Sequence, residues 1–263
     1  MNRKMLLFDL DGTLLTSEKT VSEITAAAVE RAREKGYIVG ISTSRSESNS
    51  RKFLSCIAPD VIISSGGALV TKNGEILCCE CFDGDETARV IAKARQVCGN
   101  DLHITADTVG DSSEYYLNFT PEQDVLFESW GNTTFTDFND FHSLTLKLCF
   151  EIEDDTAAEK LRAALPECDC IRFTDGFWYK FTKAGITKES AIYHLCDSLG
   201  IGTADITAFG DDLADIGMLQ LCGTGVAMGN ARPEVKEIAD IIIGSNDEDG
   251  IAEYLSAVIN SDQ

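Results

Sequence analysis

Residues 5–13 read Met-Leu-Leu-Phe-Asp-Leu-Asp-Gly-Thr, a short apolar run that ends in two aspartates. The run is interpreted as a strand, and a helical pattern follows it over residues 23–36, with Ser22 as the N-cap and Gly36 at the end. Short apolar runs and helical patterns alternate in this way at both ends of the chain. The alternation predicts an α/β fold with a doubly wound parallel sheet, in which helices connect the strands.

The same alternation predicts the other elements of this sheet. The predicted strands cover residues 37–42, 61–64, 206–209, 225–228 and 240–243, and the predicted helices cover residues 45–56, 188–199, 215–221, 233–239 and 250–259. Asn230 is the expected N-cap of the helix at 233–239. Residues 70–77 predict a hairpin, because Asn73-Gly74 in their middle is a strong two-residue turn signal.

The middle of the chain has a different pattern. It predicts helices over residues 86–97 and 156–165, strands over 115–119 and 144–152, and a hairpin joining 171–174 to 177–182 through Asp175-Gly176. This is an α+β pattern. We therefore predict two domains: a Rossmann-like catalytic core built from residues 1–81 and 185–263, and an inserted α+β domain at residues 82–184.

Composition and charge exclude several classes of function. The 263 residues include 44 Asp and Glu against 22 Lys and Arg, a formal charge of -22 that should repel nucleic acid and anionic membrane surfaces. No apolar run reaches the length of a membrane span and no export signal is visible, so a cytoplasmic protein is expected. Because no export signal is visible, the ten cysteines are expected to be reduced thiols. A metal or redox role is not favoured for Cys78, Cys79 and Cys81, because they do not have the usual C-x2-C spacing of zinc sites.

Polar residues follow the predicted strands at the points where a parallel sheet binds ligands. They are Asp9 and Asp11 after the first strand, Thr43, Ser44 and Arg45 after the second, Asp211, Asp212 and Asp215 after the strand at 206–209, and Lys188 at the start of its helix. Carboxylates that converge on one sheet edge repel one another unless a divalent cation shares them. Oxygen donors without nearby His or Cys select a hard ion, and Mg²⁺ is the ion that most readily accompanies a substrate phosphate.

These residue types fit phosphoryl transfer. A carboxylate beside Mg²⁺ can attack a phosphoryl group to form an aspartyl-phosphate, and a second carboxylate can protonate the leaving alcohol. The Thr43 hydroxyl and the Lys188 charge would stabilise the phosphoryl oxygens. Arg45 fits equally a surface cation or a contact to phosphate or acidic residues, and Gly66-Gly67 fits either a tight turn or an anion cradle of backbone N–H groups.

The motifs resemble those of the haloacid dehalogenase superfamily, in its Cof-type subfamily of phosphohydrolases. The matching segments are Asp9-Leu10-Asp11-Gly12-Thr13, Ser42-Thr43-Ser44-Arg45, Ile186-Thr187-Lys188 and Gly210-Asp211-Asp212-Leu213-Ala214-Asp215, with further matches at 65–68, 225–231 and 248–252. The resemblance implies a large α/β cap between the second and third motifs. It also implies that Asp9 is the nucleophile and Asp11 the general acid and base, and that Thr43, Ser44 and Lys188 bind the phosphoryl group. Asp9, Asp11 through its carbonyl, and Asp211 would bind Mg²⁺, with Asp215, Arg45 and Asp212 in support.

The chain departs from the family pattern at Ala214 and Gly66, where Asn is common, and at Ser44 and Glu189, where Gly is common. The expected function is a Mg²⁺-dependent phosphatase of small phosphate monoesters, either sugar phosphates or phosphorylated cofactors, in a monomer or weak homo-oligomer. A phosphomutase with the same intermediate and a non-catalytic phospho-ligand sensor are the alternatives. The inserted domain should set the substrate, with candidate residues Tyr115, Tyr116, Trp130, Trp178, Tyr179 and Lys180.

Overall fold

The computed structural model describes residues 4–110, 115–120, 133–173 and 176–261. The described strands are β1 (Met5–Phe8), β2 (Ile38–Ser42), β3 (Val61–Ser64), β4 (Leu69–Lys72), β5 (Glu75–Cys79), β6 (Ile104–Thr108), β7 (Tyr115–Leu117), β8 (Thr133–Phe135), β9 (Thr145–Glu151), β10 (Cys168–Arg172), β11 (Trp178–Lys183), β12 (Ile206–Gly210), β13 (Thr224–Ala227) and β14 (Ile241–Ile242). The described helices are α1 (Glu23–Glu34), α2 (Glu47–Arg51), α3 (Gly84–Cys98), α4 (Asp155–Ala164), α5 (Lys188–Leu199), α6 (Ile216–Leu221), α7 (Pro233–Ile238) and α8 (Gly250–Ser261).

The chain divides into two compact units. The first contains residues 1–78 and 187–263, and the second contains residues 79–186. The first unit is built around a sheet of order β14-β13-β12-β1-β2-β3-β4-β5. From β14 to β3 the neighbouring strands are parallel, and β4 then runs antiparallel to β3. The second unit has its own sheet and helices, so the predicted fold class, a doubly wound α/β sheet with an inserted α+β part, is confirmed.

Strand β1 lies at the centre of the first sheet, with β2 on one side and β12 on the other. All four of its residues are buried, as expected for a strand with both faces covered. The chain leaves β1 toward β2 and returns on the opposite side at β12. The carboxyl end of β1 is therefore the point where the strand order reverses, which is where open α/β sheets bind ligands.

The second unit contains a sheet of order β10-β11-β9-β6-β7-β8, antiparallel except between β7 and β8. Its apolar core includes Ile104, Leu148, Phe150 and Phe181 from the strands and Leu161 from α4. Helix α3 begins with a reciprocal capping box, in which Asp83 accepts from the N–H of Glu86 and the Glu86 carboxylate accepts from the N–H of Asp83, both at 2.8 Å.

Several predicted boundaries were wrong. Helix α2 ends at Arg51 rather than at residue 56, and it begins after Arg45, because the Ser46 hydroxyl caps it by accepting from Asn49 N–H. Helix α7 has Arg232 as its N-cap residue and not Asn230, whose side chain bonds elsewhere. Strands β6 and β8 were not predicted at all. The predicted turn at residue 175 lies outside the described residues.

The aromatic residues predicted to face substrate have mixed surroundings. Tyr179 and Lys180 are buried, Tyr115 and Tyr116 are half-buried, and the half-buried Trp178 ring lies 5.6 Å from that of Phe119. Trp130 is outside the described residues.

All ten cysteines lie in the described residues, and none forms a disulfide bond. Within the part of the chain that the structure describes, no helix combines the length and apolar character that crossing a bilayer requires.

Candidate active site

Three neighbouring parallel strands deliver the predicted site residues to one sheet edge. Asp9 follows β1, Thr43 follows β2, and Asp211 follows β12. The backbone continues the sheet for one more residue on two of these strands, because Asp9 N–H bonds Phe209 O at 2.9 Å and Thr43 N–H bonds Ile63 O at 2.8 Å. Each polar side chain is thus fixed by the strand that carries it.

Lys188 reaches this edge from the first residue of α5. The Thr187 hydroxyl caps the helix by accepting from the N–H of Ser190 at 3.2 Å. Gly67, in the turn between β3 and β4, allows this helix start to come close, since a Cβ on Gly67 would lie 2.1 Å from Thr187 O. Gly66 N–H donates to Thr43 O at 3.0 Å. The Gly66-Gly67 pair therefore makes a tight turn that lets α5 pack against the sheet. Because the Gly66 N–H donates to a backbone carbonyl, the structure favours the tight turn over the anion cradle.

The Lys188 ammonium lies between two carboxylates. Its Nζ donates to Asp9 Oδ1 at 2.6 Å, to Asp215 Oδ1 at 2.7 Å and to the Ser42 carbonyl at 2.9 Å. The side chain is only 4% exposed. Burial alone would lower the pKa of Lys188, but the charges of Asp215 and Asp9 outweigh burial and raise that pKa above its usual value. Lys188 is therefore a permanent cation beside Asp9.

Asp215 fixes the loop that carries Asp211. Its Oδ2 accepts from the backbone N–H of Asp211 at 3.0 Å and of Asp212 at 3.1 Å. Gly210 makes room for this turn, because a Cβ there would lie 2.5 Å from Asp215 Cβ. Asp212 points to a different partner, with its Oδ1 2.7 Å from Arg232 Nε. Asp215 thus joins Lys188 to the Asp211 loop, whereas Asp212 pairs with a half-exposed cation.

Carboxylate oxygens of Asp9, Asp211 and Asp215 lie within 4.8 Å of one another, a spacing that suits a bound metal ion. Burial and the charge of Asp215 raise the pKa of Asp9 well above its usual range, although Lys188 opposes the shift. Burial also raises the pKa of Asp211 to about 6, against the hydrogen bond that Thr13 Oγ1 donates to its Oδ1 at 2.9 Å. Burial is the main cause of both shifts and the charge of Asp215 adds to each, while the donors are the hard oxygens that Mg²⁺ prefers.

The Asp11 side chain takes part in a separate set of contacts. Arg45 donates to it twice, from Nε to Oδ2 at 2.6 Å and from Nη2 to Oδ1 at 2.7 Å, and Lys19 Nζ donates to Oδ1 at 2.8 Å. Burial raises the pKa of Asp11, but the hydrogen bonds and charges of Arg45 and Lys19 outweigh it and lower the pKa to about 2. Of the two interpretations of Arg45, the structure favours the contact to an acidic residue.

Arg45 is held on three sides. Its Nη1 donates to Asn49 Oδ1 at 2.9 Å, its guanidinium carbon lies 4.6 Å from the centre of the Phe53 ring, and its Nε and Nη2 hold Asp11. Its backbone N–H also donates to the buried Thr43 hydroxyl at 3.1 Å. Ser44, between Thr43 and Arg45, is half-buried.

The sequence did not predict the contacts of three residues of this region, although one of them, Asn230, lies in the matching segment 225–231. Lys19 and Asn49 belong to none of the motifs, so nothing in the sequence marks them as partners of Asp11 and Arg45. Asn230 was predicted as a helix cap, but its Nδ2 donates to the Gly12 carbonyl at 2.7 Å, 218 residues away in sequence. Such a contact follows from the strand order and not from local sequence.

Comparison with known proteins agrees with this geometry. A family model described as haloacid dehalogenase-like hydrolase matches residues 6–255. The 5-amino-6-(5-phospho-D-ribitylamino)uracil phosphatase YcsE of Bacillus subtilis strain 168 is 30% identical over 256 residues, which cover 96% of this chain and 94% of YcsE. The pyridoxal phosphate phosphatase YbhA of Escherichia coli strain K12 is 27% identical over 274 residues, covering 97% of this chain and 98% of YbhA.

Among solved structures, a sugar phosphatase of haloacid dehalogenase subclass IIB matches with a TM-score of 0.78 and 25% identity, covering 97% of this chain and 98% of that chain. The resemblance found in the motifs is thereby confirmed. The chain belongs to the haloacid dehalogenase-like hydrolases and is a phosphatase of that family.

Proposed function

We propose that this phosphatase hydrolyses small phosphate monoesters, sugar phosphates or phosphorylated cofactors, through an aspartyl-phosphate on Asp9 and with Mg²⁺ as cofactor. The names of two relatives support this substrate range, since one acts on a phosphorylated ribityl compound and the other on pyridoxal phosphate. The first unit would carry the chemistry, as the catalytic core, and the second would act as the cap that selects the substrate.

One observation carries the proposal: carboxylate oxygens of Asp9, Asp211 and Asp215 lie within 4.8 Å of one another, and a buried lysine, Lys188, bonds two of these three residues. An isolated buried carboxylate costs several kcal/mol, so proteins seldom bury more negative charge than nearby cations compensate. Burial raises the pKa values of Asp9 and Asp211, and the charge of Asp215 raises both further. A divalent cation bound beside them would compensate the negative charge.

The donor set fits Mg²⁺. Asp9 and Asp211 would hold the ion through carboxylate oxygens and Asp11 through its backbone carbonyl, while Lys188 and two backbone N–H groups already engage Asp215. When bound, Mg²⁺ would supply the positive charge that lets an anionic phosphoryl group approach these carboxylates.

Asp9 is suited to the nucleophilic step. Lys188 bonds its Oδ1 and keeps the group oriented, and among the described residues no donor bonds Oδ2. An Asp9 oxygen would form a bond to phosphorus while the bond from phosphorus to the leaving oxygen breaks, and the leaving oxygen takes a proton from Asp11. Water would then attack the phosphorus and give a proton to Asp11 while the bond from phosphorus to the Asp9 oxygen breaks, which restores the Asp9 carboxylate and releases inorganic phosphate.

Asp11 must exchange partners for this role. With both of its oxygens bonded to Arg45 or Lys19 and its pKa near 2, Asp11 is held ionised and cannot donate a proton. An anionic substrate would compete for these two cations, and loss of either contact raises the pKa of Asp11. Lys19 is the partner that can leave, because its side chain is 40% exposed whereas Arg45 is held by Asn49 and Phe53.

Phosphate release from a panel of sugar phosphates, nucleotides and phosphorylated cofactors tests the proposal. Release should require Mg²⁺, stop with chelator, and fall at least about 1,000-fold in Asp9→Asn, because the amide is nearly isosteric but cannot act as a nucleophile. Asp197→Asn makes the same charge change on the exposed surface of α5 and should leave release unchanged.

The same experiment separates the alternatives. Near wild-type release from Asp9→Asn would contradict the nucleophilic role of Asp9. Transfer of the phosphoryl group to a second hydroxyl of the substrate, with little free phosphate, would identify a phosphomutase. Binding of phosphate esters without any turnover would identify a sensor.

A further inference from the structure

The segment after β13 contacts both loops that carry the proposed Mg²⁺ ligands. On one side Asn230 Nδ2 donates to the carbonyl of Gly12, directly after Asp11. On the other side the backbone N–H of Arg232 donates to the carbonyl of Asp211 at 3.0 Å. Residues 230–232 therefore connect the loop that follows β1 with the loop that follows β12.

These two loops meet at Gly12. Its φ of 78° lies in the left-handed region, and a Cβ on this residue would come within 2.4 Å of Asp211 Oδ2. Thr13 Oγ1 donates to the other oxygen of the same carboxylate. The orientation of the peptides on either side of Gly12 thus decides where the Asp11 carbonyl and the Thr13 hydroxyl lie relative to Asp211.

Asn230 is itself fixed by a second asparagine. Its Oδ1 accepts from the backbone N–H of Asn246 at 3.1 Å, which orients the amide so that Nδ2 faces the Gly12 carbonyl. Asn246 then donates from its own Nδ2 to the Leu15 carbonyl at 2.8 Å. Two amides therefore hold the same loop at two points, but only Asn230 holds it next to Asp11.

We infer that Asn230 is a positioning residue for the Mg²⁺ site: by holding the Gly12 carbonyl, it fixes the spacing between the Asp11 carbonyl and the Asp211 carboxylate. The inference rests on the proposed function, because it assumes that Mg²⁺ binds at these loops. Residues that orient metal ligands in this way typically change metal affinity by 10- to 100-fold when they are replaced.

Calorimetric titration of the full-length protein with MgCl₂, without substrate, tests the inference in wild type and two variants. Asn230→Ala removes the hydrogen bond and should weaken Mg²⁺ binding by about tenfold or more. Asn230→Asp keeps the shape but cannot donate to Gly12 O, and it should also weaken binding. Charge alone predicts the opposite, since an added carboxylate near a cation site tightens cation binding.

Asn246→Ala is the matched control, because it removes an equivalent amide hydrogen bond from the same loop at Leu15. Its Mg²⁺ affinity should stay within about twofold of wild type, with a loss of thermal stability similar to that of Asn230→Ala. Equal affinity in wild type and Asn230→Ala, equal weakening in both alanine variants, or tighter binding in Asn230→Asp would overturn the inference. Absence of Mg²⁺ binding and of Mg²⁺-dependent phosphate release in wild type would instead overturn the proposed function.

Discussion

Each compact unit buries a lysine against an aspartate, but the two arrangements differ in charge. In the second unit Lys147 Nζ on β9 lies 3.1 Å from Asp107 Oδ2 on β6, and Lys180 is a second buried cation of that unit. In the first unit Lys188 lies between Asp9 and Asp215, with the Asp211 carboxylate within 4.8 Å of both aspartates. Among the described residues of the second unit, buried negative charge therefore does not exceed buried positive charge. The group around Lys188 has more carboxylates than cations, and that excess is what indicates a binding site for a cation.

The largest expected loss of stability comes from removing the buried cation of the first unit, Lys188. Lys188→Met should destabilise the protein by about 3–5 kcal/mol, because it leaves Asp9 and Asp215 without a cation. The double variant Lys188→Met with Asp215→Asn should remain well below wild-type stability, because Asp9 is still uncompensated. Urea denaturation without divalent cations, followed by circular dichroism, measures both.

The pair in the second unit is the contrasting case. Lys147→Met alone should also be costly, yet Lys147→Met with Asp107→Asn should return to within about 1 kcal/mol of wild type, since removing both charges of a buried pair is often neutral. If both double variants return equally close to wild-type stability, the two units do not differ in the balance of their buried charges, and the comparison would be contradicted.

A smaller effect is expected in the pH dependence of stability. Because burial raises the pKa of Asp211 to about 6 from an ordinary value of 3.8, the folded state holds its proton more tightly than the unfolded chain does. The contribution of Asp211 to stability is therefore present below about pH 4 and is lost as the pH rises to about 6. In protein free of divalent cations, Asp211→Asn should match wild type near pH 4 and be more stable at pH 7. A difference between the two that stays constant with pH would contradict this assignment.

The smallest effect is expected at exposed ion pairs of the second unit. Arg89 pairs with Glu167, but these side chains are 52% and 38% exposed. Water already solvates both charges, so Arg89→Gln should change stability by less than about 1 kcal/mol. A loss as large as that of Lys147→Met would mean that burial does not decide the contribution of charge pairs in this unit.

Local sequence signals predicted the elements around the site well. Helix α5 begins and ends as expected because Thr187 caps it and Gly200, with a φ of 65°, ends it. Strand β1 was predicted correctly because an uninterrupted apolar run is typical of a strand with both faces buried. The aspartates directly after it lie at the carboxyl end of the strand, where parallel sheets bind ligands. The strand order then brings Asp9, Asp211 and Lys188 together.

Contacts that depend on tertiary structure could not be predicted. The helix expected at residues 45–56 became the short α2, since Ser46 provides the cap and leaves Arg45 outside the helix to hold Asp11. Asn is a common N-cap residue, so the local sequence favours a helix cap at Asn230. Asn230 instead reaches Gly12 because β13 lies beside β12, a placement that the local sequence does not specify. Lys19 carries no sequence signal because its role depends on a turn with a φ of 59° that returns it to Asp11.

The central claim is that Asp9 carries the phosphoryl group during turnover. Rapid acid quenching with a substrate labelled at phosphorus, followed by peptide mapping by mass spectrometry, measures this directly. Wild type should carry the label on the peptide that contains Asp9. Asp11→Ala should carry more of it when the substrate is a phenyl phosphate with an acidic leaving group, because such a group departs without a proton and only hydrolysis of the intermediate is slowed. A label on another residue, or turnover with no labelled protein in either form, would contradict the account.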